Sequence, residues 1–157
     1  MRASHGFTLI ELAITVAIVG ILASAAYPFA ELSLQRQRES ELRTALREIR
    51  NAIDDYHAAA LAGTIARSAD ESGYPRKLED LMYGVDNLKD PKRSSVYFLR
   101  RLPRDPFAED STLSAAETWG KRSYDSPPDS PVEGEDVYDV YSLSERSGMN
   151  GIPYREW

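Results

Sequence analysis

Apolar and polar positions divide the 157-residue chain into four stretches. After six residues that include Arg2 and His5, the 19 positions from Leu12 to Ala30 carry no charge at all. As a helix at ~1.5 Å per residue that run spans ~28 Å, close to the ~30 Å hydrocarbon core of a bilayer. Gly20 and Pro28 lie inside it and weaken it, glycine through backbone entropy and proline through a lost hydrogen bond, so a kink is expected near Pro28. Beyond Pro28 the pattern turns amphipathic. Leu42, Ala45, Leu46, Ile49, Ala52, Ile53, Tyr56 and Ala60 recur at three- and four-residue steps, which predicts one core-facing stripe. The other face carries Arg36, Arg38, Glu39, Arg43, Arg47, Glu48, Arg50 and Asp54 and reads as a solvated surface, with pairing between subunits as the alternative in a polymer. Gly63 is the expected helix stop.

From Gly63 to Gly73 the chain reads as a polar loop, and Tyr74-Pro75 precedes a short helical patch through Leu78, Leu81 and Met82 that Gly84 ends. Leu102-Pro103-Arg104-Asp105-Pro106-Phe107 reads as a turn fixed by two prolines and capped by Asp105. Trp119 to Tyr124 and Val137 to Leu143 are strand candidates, rich in aromatic and β-branched residues, and Ile152 to Trp157 a short third one. The proline-rich segment from Asp125 to Pro131 between the first two is an exposed loop. Gly148-Met149-Asn150-Gly151 has the residues a turn with positive φ requires. The fold class is therefore α+β: a long N-terminal helix followed by a small antiparallel sheet, with Trp119, Tyr138, Tyr141, Tyr154 and Trp157 supplying much of the packing.

Composition narrows the function classes. A net charge of −6 without a basic stripe argues against nucleic acid as a partner. The chain has no cysteine, hence no disulfide framework. His57 has no second histidine or carboxylate at metal-ligand spacing, and no nucleophile motif is present, so the usual hydrolytic constellations are missing and no enzymatic activity is expected. Glu133, Glu135, Asp136 and Asp139 crowd together, and hard oxygen ligands at that density suit Ca²⁺ when loop carbonyls complete the shell. A solvated acidic loop is the other reading, and no cofactor is assigned.

Glu11, at the edge of the apolar run, needs its own reason, because a carboxylate near the membrane interior costs roughly 2.5 to 3.5 kcal/mol unless compensated. A cut after Gly6 would supply one, since the new ammonium of Phe7 would lie four residues before Glu11 on one helix face. Two plainer readings fit the same run: a secretory signal cut at Ala23-Ser24-Ala25, giving a mature end at Ala26, and an uncut signal anchor. Arg2 stands alone before the run, whereas Arg36, Arg38 and Arg43 follow it, so charge counting alone favours the opposite orientation to the one given next.

Gly6-Phe7-Thr8-Leu9-Ile10-Glu11 followed by an apolar helix resembles the leader of type IV pilins and type II secretion pseudopilins. Tyr74-Pro75, the leucine patch and the Leu102 to Phe107 turn are most similar to the major (G-type) pseudopilin. The resemblance implies a type IV pilin-like fold divided into a cleaved leader (1–6), a membrane and filament-core helix (7–30), an amphipathic helix (31–62) and a periplasmic region (63–157). It further implies cleavage after Gly6 and N-methylation of Phe7 by a prepilin peptidase, pairing of Glu11 with the Phe7 amine of a neighbouring subunit, and helix flexibility at Gly20 and Pro28. The implied partners are further copies in a homo-polymer, minor pseudopilins, and an inner-membrane platform with its ATPase. The implied product is a periplasmic pseudopilus that helps export folded proteins across the outer membrane. A true or minor pilin serving adhesion, motility or DNA uptake is the alternative within the class, and a membrane-anchored calcium- or substrate-binding module the alternative outside it. Pseudopilins of this type bind calcium in the loop after an Asp-Val-aromatic-Ser strand. Here Asp139-Val140-Tyr141-Ser142 is followed by a single carboxylate, Glu145, so the ligands are not carried over.

Overall fold

A computed structural model describes residues 8–157, and of residues 25–28 only the backbone helix. Helix α1 runs from Leu9 to Leu61 without a break at Gly20 or Pro28. The chain divides at Gln37/Arg38 into two compact units, so the C-terminal half of α1 belongs to the second.

In the first unit the apolar side chains find no cover. Leu9, Ile10, Leu12, Val16, Val19 and Ile21 are all exposed, on every side of the helix. A helix that is apolar all round and unburied is stable only in lipid or within an assembly. The hydroxyls in this stretch are consistent with that, since Thr15 and Ser24 donate back to the carbonyls of Leu12 and Ile21 and present no unmet donor.

The second unit is built on the other half of α1. Leu42, Leu46, Ile49 and Ile53 are fully or almost fully buried and form one core with Leu78, Leu81, Leu102, Phe107, Trp119, Val140 and Tyr154, as the three-and-four spacing predicts. The helix ends in a Schellman motif: Gly63, at φ +66, donates to the Ala60 carbonyl at 3.0 Å while Thr64 donates to that of Ala59 at 2.9 Å. Helix α2 (Asp80–Tyr83) buries Leu81 and is closed by Gly84. Strands β1 (Val85–Asp86) and β2 (Ser95–Val96) form a small antiparallel hairpin. Strands β3 (Trp119–Arg122) and β4 (Asp139–Ser142) pair antiparallel in the register Trp119 with Ser142 and Gly120 with Tyr141.

Two expectations change. Residues 152–157 do not add a strand. Ser147 and Pro153 make one isolated bridge, after which Tyr154–Glu156 winds into a 3₁₀ turn. Pro153 has no N–H to extend a ladder, and the turn places Tyr154 fully in the core, stacked on Phe107 at 4.1 Å. Nor is the charged face of α1 uniformly solvated. Glu39 is buried and accepts from the Met149 N–H at 2.8 Å and the Tyr154 hydroxyl at 3.1 Å.

Gly120 illustrates how tightly β3 and β4 fit. A Cβ there would lie 2.3 Å from the Tyr141 ring, which covers it across the strand pair. The Gly120→Ala variant is expected to lose about 2 to 3 kcal/mol of stability, read as a shifted urea midpoint at unchanged slope.

Candidate functional site

The N-terminal turn of α1 holds the first candidate site. Thr8 precedes the helix, and both its N–H and its hydroxyl donate to Glu11 Oε2, at 3.0 and 2.9 Å. In return the Glu11 N–H donates to Thr8 Oγ1 at 3.2 Å. This is a reciprocal capping box, in which two otherwise orphaned N–H groups at the helix start are satisfied by side chains. The Thr-x-x-Glu spacing at residues 8–11 is its sequence signal, and it gives Glu11 a role inside its own chain in addition to the one the leader motif implies. Gly6 and Phe7 lie outside the described residues. Gly20 and Pro28 are inside α1, and space is open around Gly20.

The segment that follows Glu11 is long and apolar enough to cross a membrane, with a mean hydropathy of 2.3 over its best 18-residue window and none of that window buried.

In the second unit the polar side chains are used to fasten the chain to α1. The Arg50 guanidinium donates to Asp139 at 2.8 Å, to the Val140 carbonyl at 3.1 Å and to the Trp157 main-chain oxygen at 2.8 Å. Arg43 stands over the Trp157 ring at 4.2 Å. Both arginines, expected on a solvated face, therefore hold β4 and the C-terminal turn.

The turn from Leu102 to Phe107 fastens the sheet. Asp105 is buried; one carboxylate oxygen accepts from the Phe107 N–H at 2.8 Å and the other from the Ser142 hydroxyl at 2.5 Å. Its own N–H donates to Thr118 Oγ1 at 3.2 Å, and the Trp119 indole donates to the Pro103 carbonyl at 2.9 Å. Burial pushes the Asp105 carboxyl above the usual carboxylate range, against the opposing pull of the Ser142 and Phe107 hydrogen bonds. Both carboxylate oxygens are engaged by the protein, and the motif is structural.

The acidic end is taken up in the same way. Asp139 bridges Arg50 at 2.8 Å and Arg122 at 3.4 Å, Asp136 accepts from the Ser72 hydroxyl and the Tyr124 N–H, and Glu133 faces Lys121 at 3.4 Å. Among the described residues no group of three or more histidines, cysteines and carboxylates is placed to hold a metal ion.

Comparison with known proteins adds to this geometry. Residues 1–27 match the family model described as the prokaryotic N-terminal methylation motif. The chain is similar to the type II secretion system core protein G of Vibrio cholerae, with 30% identity over 113 residues that cover 70% of each chain. It is 26% identical to the core protein G of Klebsiella pneumoniae over 151 residues, 93% of this chain and 100% of that one. The Escherichia coli K12 core protein G is also 26% identical, over 156 residues that cover 93% of this chain and 99% of its own. No solved structure matches the chain at a comparable significance.

Proposed function

Since the chain belongs to the type II secretion system core protein G family, we propose that it is the major structural subunit of a pseudopilus, polymerising in the periplasm to help export folded proteins across the outer membrane. The observation that carries this reading is the start of α1: from Leu9 to Leu22 the apolar side chains are exposed on every side of the helix, and Glu11 is the one charge among them, within the matched methylation motif. Such a surface is stable in lipid and equally stable when packed against copies of itself, so a subunit can wait in the inner membrane and then move into a filament core without exposing apolar area to water.

In this proposal a prepilin peptidase cuts after Gly6 and methylates Phe7 on the cytoplasmic side. Glu11 then pairs with the Phe7 amine of a neighbouring subunit, and the open space around Gly20, with Pro28 further along, lets the helix adjust during packing. Residues 7–30 make a single membrane pass, and the C-terminal unit lies in the periplasm. Minor pseudopilins, an inner-membrane platform and its ATPase are the partners this requires. The role is structural; the buried polar groups of the C-terminal unit serve its own fold, and no cofactor is assigned to them.

Intact mass and N-terminal sequencing of the protein from its native membrane test the processing step. The expected result is a chain beginning at N-methylated Phe7. A mature end at Ala26 would instead leave a secreted soluble domain and remove the filament altogether.

A further inference from the structure

The C-terminal unit carries two surface features that its own fold leaves unused. The first is a groove of about 350 Å³ along α1, with Leu46, Ile152 and Trp157 as apolar lining and three arginines, Arg43, Arg47 and Arg50, against one carboxylate, Glu156. Arg43 lies over Trp157, but among the described residues Arg47 makes only a long contact to Thr44 Oγ1, at 3.5 Å, and enters no salt bridge. The second is the loop between β3 and β4. Between Asp125 and Asp136 it holds five carboxylates and no basic residue. Among the described residues Asp125, Asp129 and Glu135 enter no salt bridge, and Val132 stands exposed among them.

This loop is built to keep its shape. Three prolines restrict it, and it is tied across its base: the Ser123 N–H donates to the Val132 carbonyl at 3.1 Å, and the Val132 N–H to Ser126 Oγ at 2.8 Å. A loop already fixed in one conformation loses little entropy on docking. An acidic, stiff loop with one exposed apolar side chain, Val132, beside its base complements a groove that carries arginines and an apolar floor, in charge and in polarity.

We infer that the 125–135 loop of one subunit docks into the Arg43, Arg47 and Trp157 groove of a second copy, with Asp129 meeting Arg47 and Val132 seated on the apolar floor. This rests on the polymerising-subunit reading above and supplies it with a lateral contact outside the membrane helix. Because groove and loop are different surfaces of the same unit, the contact is heterologous, and it repeats from copy to copy as an open helical array rather than closing as a dimer.

The chain has no cysteine, so single substitutions report the contact cleanly. Full-length Arg47→Cys and Asp129→Cys subunits are co-produced in cells that assemble the pseudopilus, and the fibres are oxidised. A disulfide-linked dimer is expected only when both are present, and a chain carrying both substitutions should give a ladder of multimers. Independently, Arg47→Glu should lower the yield of sheared fibres roughly tenfold, and Asp129→Arg in the same chain should restore it.

Wild-type fibre yield from Arg47→Glu, together with no cross-link, overturns the docking contact and leaves the subunit reading standing. A cross-linked series that stops at a dimer overturns the open-ended arrangement, and capture of a different membrane protein by Arg47→Cys without any second copy overturns the choice of occupant. If the unaltered chain forms no fibres at all, the subunit reading falls and this contact with it.

Discussion

Glu11→Ala should abolish fibre formation while leaving the unit from Arg38 to Trp157 folded. The carboxylate sits at the start of an apolar helix, where an uncompensated charge costs roughly 2.5 to 3.5 kcal/mol near the membrane interior. In the capping box its charge is only partly met, by the N–H and hydroxyl of Thr8. An ammonium on a neighbouring subunit would meet it in full. Removing one partner of a desolvated ion pair costs about 3 to 5 kcal/mol, because the remaining charge is left alone. That corresponds to a loss of about 10²- to 4 × 10³-fold in each association step, and a polymer compounds it. The core of the second unit is assembled from residues after Arg38, so the substitution removes none of it. Sheared-fibre yield and buried-Trp119 fluorescence of the full chain in detergent read the two parts separately. Fibres from Glu11→Ala at normal yield would reject the pairing.

The capping box makes a second variant necessary, because Glu11→Ala also removes a helix cap worth about 0.5 to 2 kcal/mol. Glutamine keeps the capping geometry and discards the charge. If the charge is what assembly needs, Glu11→Gln fails as alanine does; if the cap is what matters, it assembles.

What the sequence makes legible follows from how far apart the interacting residues are. The buried stripe of α1 repeats within a few residues and is visible as periodicity, and so are the Thr8-x-x-Glu11 box and the stop at Gly63. Strands β3 and β4 are marked by aromatic and β-branched residues, although each is shorter in the structure than that pattern extends. The hairpin of β1 and β2, two residues per strand, falls below any window in which alternation can be counted. Glu39, Arg43 and Arg50 fail for a different reason. A charged residue on a helix reads as solvated unless its partner is known, and the Met149 N–H that holds Glu39 lies 110 positions later in the chain. Tyr154 and Trp157 are legible as packing residues but not in their backbone, because aromatic content marks burial, whereas Pro153 decides against a strand. The two free surfaces, groove and loop, are legible only by subtraction, once the contacts of every other charge are known.

The largest loss within the folded unit is expected from Asp105→Ala. The substitution leaves the Phe107 N–H and the Ser142 hydroxyl without their acceptor in a site with almost no solvent access. Each unmet buried group costs about 1 to 3 kcal/mol, partly offset because a carboxylate no longer has to be buried, so a net loss of about 2 to 4 kcal/mol is expected. Asp105→Asn should cost less. Its amide oxygen can still accept from Phe107, but its NH₂ faces Ser142 Oγ, which already accepts from the Ser144 N–H at 3.2 Å and would have to turn its own proton elsewhere. The pH dependence separates burial of charge from loss of hydrogen bonds. Because burial raises the folded carboxyl above its unfolded value of ~3.9, the stability it contributes is complete below that unfolded value and is lost as pH rises through the raised folded one. The exposed Glu71, Asp90, Asp110 and Glu117 have carboxyls lowered by local hydrogen bonds, so their contributions run the other way and fall as pH falls. The difference between wild type and Asp105→Asn cancels those common contributions. Melting curves of both chains should therefore show wild type gaining on the variant as pH is lowered from neutrality through the raised Asp105 value, with no further gain once both states are protonated. A difference that stays constant with pH would mean that the hydrogen bonds from Ser142 and Phe107 offset the burial of the carboxylate in full.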